Sequence, residues 1–369
     1  MKYYIIAGEA SGDLHAANLI EQIKILDPKA EFRGWGGDLM AAQGTNLVKH
    51  YRDLAFMGFI EVIANLKTIL RNIDFCKKDI LDYHPDKIIL VDYPGFNLRI
   101  ASFAAKSGIK VFYYISPQIW AWKQSRVHQI KKDVDHMLVI LPFEKEFYEK
   151  FNYPVEFVGH PLLDAIGKMK MEDHVDWNKQ HDIGNKKIIA LLPGSRKQEI
   201  SSMLPLMLSV VIDFPDYQFI IGGAPSVDAS FYDALLTGTN VKVVYGQTYN
   251  LLKNATAALV TSGTATLETA LFNVPEVVCY KGNFISYHIA KQLVKVKYIS
   301  LVNLIMDRPV VVELIQAELN RENLLRELKA ITGNNPKRKQ MLNDFRELKE
   351  KLGGEGASHR AANFIVSKM

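Results

Sequence analysis

The apolar and polar positions of this 369-residue chain alternate between two periods, and they do so twice. Short apolar runs of the kind that form buried strands recur at Tyr3–Ala7, Glu31–Gly36, Lys87–Val91, Lys110–Ile115, Met137–Leu141 and Val155–Val158. Helical patterns lie between them, the first running from Leu14 to about Leu26. Residues 168–186 are polar, lack a clear period and read as a linker. The alternation then restarts at Lys187–Leu192, Gln218–Gly222, Val241–Val244, Ala257–Val260 and Glu276–Tyr280. From about Glu313 the pattern is helical and basic to Met369. Strands that alternate with helices predict parallel sheets covered by helices. The fold class expected is therefore α/β: two doubly wound parallel-sheet domains facing a cleft. The boundaries read as 1–167, a linker at 168–186, a second domain at 187–340 and C-terminal helices at 341–369.

In such sheets ligands sit beyond the C-terminal ends of the strands, so candidate chemistry is sought there. The stretch Ala258–Leu271 ends an apolar run at Ser262-Gly263-Thr264-Ala265-Thr266, where a helix begins. A helix N-terminus presents free N–H groups and a positive dipole end to an anion. Glu268 lies one turn on, on the side of Thr264, where it can accept from a diol such as a ribose. An ordinary strand–turn–helix with a threonine cap has the same sequence. A second strand end in the same half runs into Leu192-Pro193-Gly194-Ser195-Arg196, followed by Glu199. Gly194 allows a tight turn near a ligand, and Arg196 carries a planar fork of donors suited to a diphosphate. The two stretches together describe a nucleotide-diphosphate site.

In the first half, Asp92 follows the strand Lys87–Val91 and opens Asp92-Tyr93-Pro94-Gly95-Phe96-Asn97. A carboxylate there is placed for general base work, although turns and helix caps use aspartate in the same way. The first strand end carries Glu9, Ser11, Gly12, Asp13 and His15, a loop able to hold an anion or shape an acceptor pocket. Trp120 and Trp122 follow another strand end. They suit contact with carbohydrate or lipid, and equally packing at a domain edge.

Composition narrows the classes. Lys+Arg 45 against Asp+Glu 40 gives +5, too mild an excess to argue for nucleic acid, yet compatible with an acidic membrane surface. No run approaches the roughly 18 apolar residues of a membrane span, and Met1-Lys2 leads into a strand without a signal-peptide pattern. Two cysteines, Cys76 and Cys279, make neither a disulfide framework nor a metal cluster. A cytoplasmic location is the simple inference. The turn Gly8–Gly12 lacks the spacing of a dinucleotide fingerprint, and no Walker A motif occurs, so no cofactor is expected. Asp133-Val134-Asp135 has the spacing of metal-dependent sugar transferases, but it precedes a strand and reads as solvated charge; no metal site is expected.

The motifs in order are Gly8-Glu9-Ala10-Ser11-Gly12-Asp13, Ser116–Trp122, Leu141–Lys145, Gly159-His160-Pro161, Leu192–Arg196, Ser262–Ala265 and Ser300–Leu304. That series, spanning nearly the whole chain, resembles the lipid-A-disaccharide synthases. The resemblance implies a glycosyltransferase B architecture and a hexosyltransferase of Gram-negative lipid A (lipopolysaccharide) biosynthesis. Such an enzyme transfers 2,3-diacylglucosamine from UDP-2,3-diacylglucosamine to 2,3-diacylglucosamine 1-phosphate, forming a β-1′,6 linkage and UDP, with inversion and without metal. It implies Asp92 as general base; Glu9, Asp13 and His15 at the first strand end are the other catalytic candidates. Gly95 stands where the family carries a second aspartate. The UDP site would comprise Gly194, Ser195, Arg196, Glu199, Ser262–Thr266, Glu268 and Asn303. The family also implies a last helix that crosses back to the first domain, and a homodimer. The alternatives are another UDP-sugar enzyme of this fold, such as an epimerase or a different transferase, or a nucleotide-sugar-binding module without chemistry.

Residues 56–71 carry one apolar stripe at helical spacing, Phe59, Ile63, Leu66 and Leu70, widened by Ile60, Val62 and Ile69. Lys67, Arg71, Lys77 and Lys78 flank it. Core packing would account for such a helix. A family whose substrates carry acyl chains points instead to a membrane-facing helix, with Ile60, Ile63, Leu66 and Ile69 toward lipid and the enzyme peripherally held at the inner membrane.

Overall fold

The computed structural model describes residues 1–54, 66–172, 177–181, 183, 186–282 and 297–368. The chain forms two units, one of Met1–Ala165 with Leu352–Met369 and one of Ile166–Lys351. The strands of the first are β1 (Lys2–Ala7), β2 (Glu31–Gly36), β3 (Asn46–His50), β4 (Lys87–Val91), β5 (Lys110–Tyr114), β6 (His136–Val139) and β7 (Glu156–Phe157). Among the described residues they make one parallel sheet in the order β3-β2-β1-β4-β5-β6-β7.

The central strands are apolar almost end to end. Tyr3–Ala7 and Ile88–Val91 are fully buried, as expected where helices cover both faces of a parallel sheet. The strand order reverses between β1 and β4, which pair in register from Tyr3↔Lys87 to Ala7↔Val91. Right-handed crossovers that leave in opposite directions put helices on opposite faces and open a crevice beyond the ends of these two strands.

The last helix, Ala357–Ser367, packs along the first, Ala10–Leu26. Its N-terminus is capped by Asp164, whose carboxylate accepts from the N–H groups of Gly356 (2.6 Å), Ala357 (3.2 Å) and Ser358 (2.8 Å). Buried Lys87 donates to Ile365 O at 2.7 Å in its last turn. An anion at one end and a cation at the other both complement the helix dipole.

The second unit repeats the plan with β8 (Lys187–Leu192), β9 (Tyr217–Gly223), β10 (Lys242–Tyr245), β11 (Ala255–Thr261), β12 (Glu276–Tyr280) and β13 (Val312–Ile315). Its parallel order among the described residues is β10-β9-β8-β11-β12-β13. The reversal falls between β8 and β11, where Leu192 pairs with Val260.

Several details depart from the sequence pattern. The strands β3 and β13 lie at sheet edges and are only partly buried, so their apolar runs are short and mixed. Glu313 therefore sits in a strand rather than at the start of a helical tail. The stretch 168–186 is not a plain linker. A helix runs through it to Glu172, and Trp177 and Ile183 pack into the second unit's core with Ile188, Leu192 and Val260. Asp133 is 6% exposed rather than solvated, and Asp135 accepts from Val111 N at 2.8 Å. Both stand at the N-terminal ends of the strands, away from the crevice. Ile60 and Ile63 lie outside the described residues. Leu66 opens the helix Leu66–Tyr83, and Ile69 is half-buried.

Candidate active site

Both crevices are lined by the motifs that the sequence singles out. In the first unit, β1 delivers Gly8 and Glu9, and β4 delivers Asp92. Asp92 and Tyr93 both adopt left-handed backbone conformations, with φ of 44° and 49°. Ile115, at the end of the next strand, has φ 68°, a costly conformation for a β-branched residue. Three strained residues at neighbouring strand ends are the kind of cluster found at functional sites. Burial pushes the Asp92 carboxyl up to about 6; the nearby Glu9 charge adds to the shift, and a hydrogen bond from the Tyr93 N–H opposes it. Glu9 is exposed at the N-cap of the first helix and does not cap it with its side chain. A base with that pKa is ionised near neutrality and still able to take a proton.

The other loop candidates have different places. Asp13 is 3% exposed. Its carboxylate accepts from the N–H groups of Gly37 (2.7 Å), Leu39 (3.1 Å) and Met40 (3.1 Å), capping the helix Asp38–Ala42. Three backbone donors commit it to structure. His15 is buried, which pushes its pKa down to about 4, and lies within electrostatic reach of Asp164 and His160. Its imidazole is neutral, and its Nδ1 has no hydrogen-bond partner among the described residues. Ser11 is exposed; Gly12 packs on β1, where a Cβ would meet Ala7 Cβ at 3.3 Å. Gly95 is exposed, with nothing within 4 Å of a Cβ built on it, so the backbone has room for the family's aspartate.

The two tryptophans separate. Trp122 is 53% exposed and lies under Arg126, whose Cζ is 5.1 Å from the ring centroid. Trp120 is buried and donates from Nε1 to Glu144 Oε1 at 3.3 Å. Glu144 also accepts from Ile140 N (3.2 Å) and Leu141 N (3.0 Å). Burial pushes its carboxyl up to about 7 against these hydrogen bonds, and the Asp92 charge adds to the rise. The sequence reading missed this second carboxyl. It lies in the motif Leu141–Lys145, where a Pro at the start of a helix with Glu two residues on was its local signal.

In the second unit, β8 leads through Pro193 to Gly194, whose φ is 121°. Glu199 holds the turn, accepting from Ser195 N at 2.9 Å. A Cβ on Gly194 would come within 2.7 Å of Glu199 Cβ. Arg196 is 69% exposed and sits 3.8 Å from Glu199, leaving its guanidinium available to an anion. The neighbouring β11 leads into Ser262 and Gly263. Gly263 has open space in front of it, and the helix Thr264–Leu271 begins there. Ser262 Oγ donates to Ile299 O (2.9 Å) and Thr266 Oγ1 to Gly263 O (2.9 Å), so both hydroxyls shape the turn. Thr264 is exposed at the helix start, and Ala265 packs against the core.

Glu268 accepts from Tyr249 Oη at 2.8 Å through Oε1, and burial pushes its pKa up. Tyr249 lies on the helix Thr248–Asn254 and was not visible as a partner in the sequence. Asn303 is 1% exposed. Its Nδ2 donates to Val311 O and Glu313 Oε1, and its Oδ1 accepts from Val310 N and Val311 N. It orders the segment that leads from its helix into β13, and its side chain is fully engaged there. Among the described residues, no group of three or more His, Cys, Asp or Glu side chains is arranged to hold a metal ion.

Comparison with known proteins follows the same outline. A family model described as "Lipid-A-disaccharide synthetase" matches residues 3–365. A lipid-A-disaccharide synthase of Syntrophus aciditrophicus is 40% identical over 367 residues, covering 97% of this chain and 95% of the relative. One from Trichlorobacter lovleyi is 38% identical over 369 residues, covering 98% and 96%. Among solved structures, UDP-GlcNAc 2-epimerase from Neisseria meningitidis bound to UDP-GlcNAc has a TM-score of 0.71 at 13% identity, with 100% of both chains covered. The glycosyltransferase of kitacinnamycin has a TM-score of 0.65 at 15% identity, covering 99% of this chain and 98% of that one. At such identities the solved structures establish the fold alone.

Proposed function

The chain belongs to the lipid-A-disaccharide synthetase family, and from that premise we propose that it catalyses a glycosyl transfer in which Asp92 is the base and the strand-end turns of the second unit take the UDP. The enzyme is a glycosyltransferase of lipid A biosynthesis. Its donor is UDP-2,3-diacylglucosamine and its acceptor 2,3-diacylglucosamine 1-phosphate. The acceptor hydroxyl attacks the donor's anomeric carbon with inversion, its proton passes to Asp92, and the C–O bond to UDP breaks. In the second unit Arg196 and the N–H groups at Gly263–Ala265 meet the diphosphate, and Glu268 the ribose. Negative charge builds on UDP as it leaves, so these donors stabilise the transition state more than the ground state.

The observation that carries this reading is the half-buried carboxyl of Asp92, at the strand-order reversal, with its pKa pushed up to about 6. The test is product analysis with both lipid substrates. UDP should appear only when acceptor is present, together with a disaccharide. UDP or a free sugar formed without acceptor would sink it.

Peripheral association with the inner membrane belongs to the same proposal. On the helix Leu66–Tyr83, Leu70 and Phe75 are 47% and 48% exposed, and the helix carries Lys67, Arg71, Lys77 and Lys78. Apolar side chains beside cations suit an anionic bilayer surface. Among the described residues no helix is long and apolar enough to cross one. A homodimer is the assembly this reading favours, and light scattering at working concentration checks it.

A further inference from the structure

We infer that Asn97 and Tyr113 are positioning residues for catalysis, holding the Asp92–Tyr93 elbow in the conformation that presents the Asp92 carboxylate. The inference rests on Asp92 acting as the base.

Two consecutive non-glycine residues with positive φ are a strained arrangement. They persist only where their surroundings hold them. Here the surroundings converge on the Asp92 carbonyl oxygen. Tyr113 Oη donates to it at 2.6 Å. Asn97 Nδ2 donates to it at 2.8 Å and also to Val91 O at 3.2 Å. The Asp92 N–H is in turn fixed to Tyr114 O at 3.0 Å. Asn97 and Tyr113 are both 0% exposed, so neither touches substrate; each acts through the backbone.

The donors come from two directions. Asn97 lies in the first turns of the helix Pro94–Lys106 that follows the elbow. Tyr113 lies on β5, which pairs with β4 from Lys87↔Lys110 to Val91↔Tyr114. A carbonyl gripped by a side chain from each cannot rotate without breaking both hydrogen bonds. If it rotated, the peptide plane would turn and the carboxylate would swing with it. Displacement of a reacting group by about 1 Å can cost on the order of 100-fold in rate.

Strain of this kind is not needed for folding. A strand can leave a parallel sheet through an ordinary turn with negative φ. The elbow also separates neighbours: Asp92 lies within electrostatic reach of Glu9, while the Tyr93 ring packs on Gly8 and lies 5.7 Å from Phe96. An extended Asp92 would continue the strand and carry its side chain elsewhere.

The test uses the full-length enzyme with both lipid substrates. Tyr113→Phe removes a single hydroxyl; Asn97→Leu removes the amide at similar volume. Thermal melting and UDP affinity establish that each variant is folded. Each folded variant should lose kcat about 10- to 100-fold, with KM for both substrates and UDP affinity kept. The acid limb of its kcat profile should move to lower pH, because a loosened elbow exposes the carboxyl to water. A purely structural role would lower the melting temperature and leave kcat and that limb in place. If Asn97→Leu does not fold, Tyr113→Phe carries the test alone. Asp92→Asn, run alongside, separates the two claims. An inactive Asp92→Asn with fully active Tyr113→Phe and Asn97→Leu overturns the positioning role alone. An active Asp92→Asn overturns the base assignment, and the positioning role with it.

Discussion

Gly8 and Tyr93 meet so closely that a Cβ on Gly8 would fall 2.3 Å from the tyrosine ring. The ends of β1 and β4 are thus locked together at the point where the strand order reverses. Gly8→Ala would force the ring aside and disturb the elbow that precedes it. Overpacking of this kind costs about 1–3 kcal/mol. The substitution should lower the urea midpoint and reduce turnover together. Unchanged turnover in a folded Gly8→Ala enzyme would show that the elbow tolerates a moved Tyr93.

Asp92 sets a pH dependence with opposite signs for activity and stability. Its carboxyl is raised to about 6 in the folded protein, so turnover should fall below about pH 6 as the base is protonated. Raising a folded-state pKa means that the stability tied to this group is full at acid pH and lost as pH rises through 6. Asp92→Asn should therefore lose roughly 10²–10⁴-fold in turnover while becoming somewhat more stable at neutral pH. A turnover profile flat down to about pH 5 would remove Asp92 from the proton transfer.

The donor site predicts a graded pair. Arg196→Ala should weaken UDP by about 1.5–3 kcal/mol, the range for a hydrogen bond to a charged group. Tyr249→Phe only frees Glu268 Oε1 from its 2.8 Å partner, and should cost about 0.5–1.5 kcal/mol. If Glu268 reads the ribose, Tyr249→Phe should also blunt discrimination between UDP and its deoxyribose analogue. Calorimetry with both ligands measures this. Equal loss for the two analogues would detach Glu268 from the sugar.

Glu276 is 0% exposed, and neither carboxylate oxygen has a hydrogen-bond partner among the described residues. Burial pushes its pKa well above the usual carboxylate range. The fold holds the protonated acid, and that stability is lost as pH rises through the raised value. Glu276→Leu should stabilise the protein by roughly 1–3 kcal/mol near pH 8, and by much less near pH 5. Denaturant melts at both pH values decide it; an equal effect at each would mean the carboxyl is not protonated by burial.

The membrane proposal is tested by replacing Ile60, Ile63, Leu66 and Ile69 with serine. Binding to anionic liposomes should weaken and UDP affinity stay intact, because the UDP residues lie in the other unit. Loss of folding would mean that these side chains are core.

The sequence by itself determined the buried strands and the motifs that end them, but not the half-buried edge strands β3 and β13. Short continuous apolar runs such as Ile88–Val91, bounded by turn residues, fit strands buried on both faces, and that signal is local. Pairing Gly8–Asp13 with Asp92, and Leu192–Arg196 with Ser262–Thr266, was legible for the same reason: each pair ends strands of one βαβ series. The sequence left open what each polar residue holds. Asp13 caps a helix that starts 25 residues later. Asn303 is satisfied by residues 310, 311 and 313, and Trp177 joins a core through Gln247, 70 positions away. The left-handed elbow at Asp92 depends on Tyr113, one strand over. Partners so distant along the chain leave no periodic trace, because a hydrogen bond constrains one atom pair and not a pattern. Only the tertiary structure decides which carboxylates the backbone fully occupies, as it does Asp13.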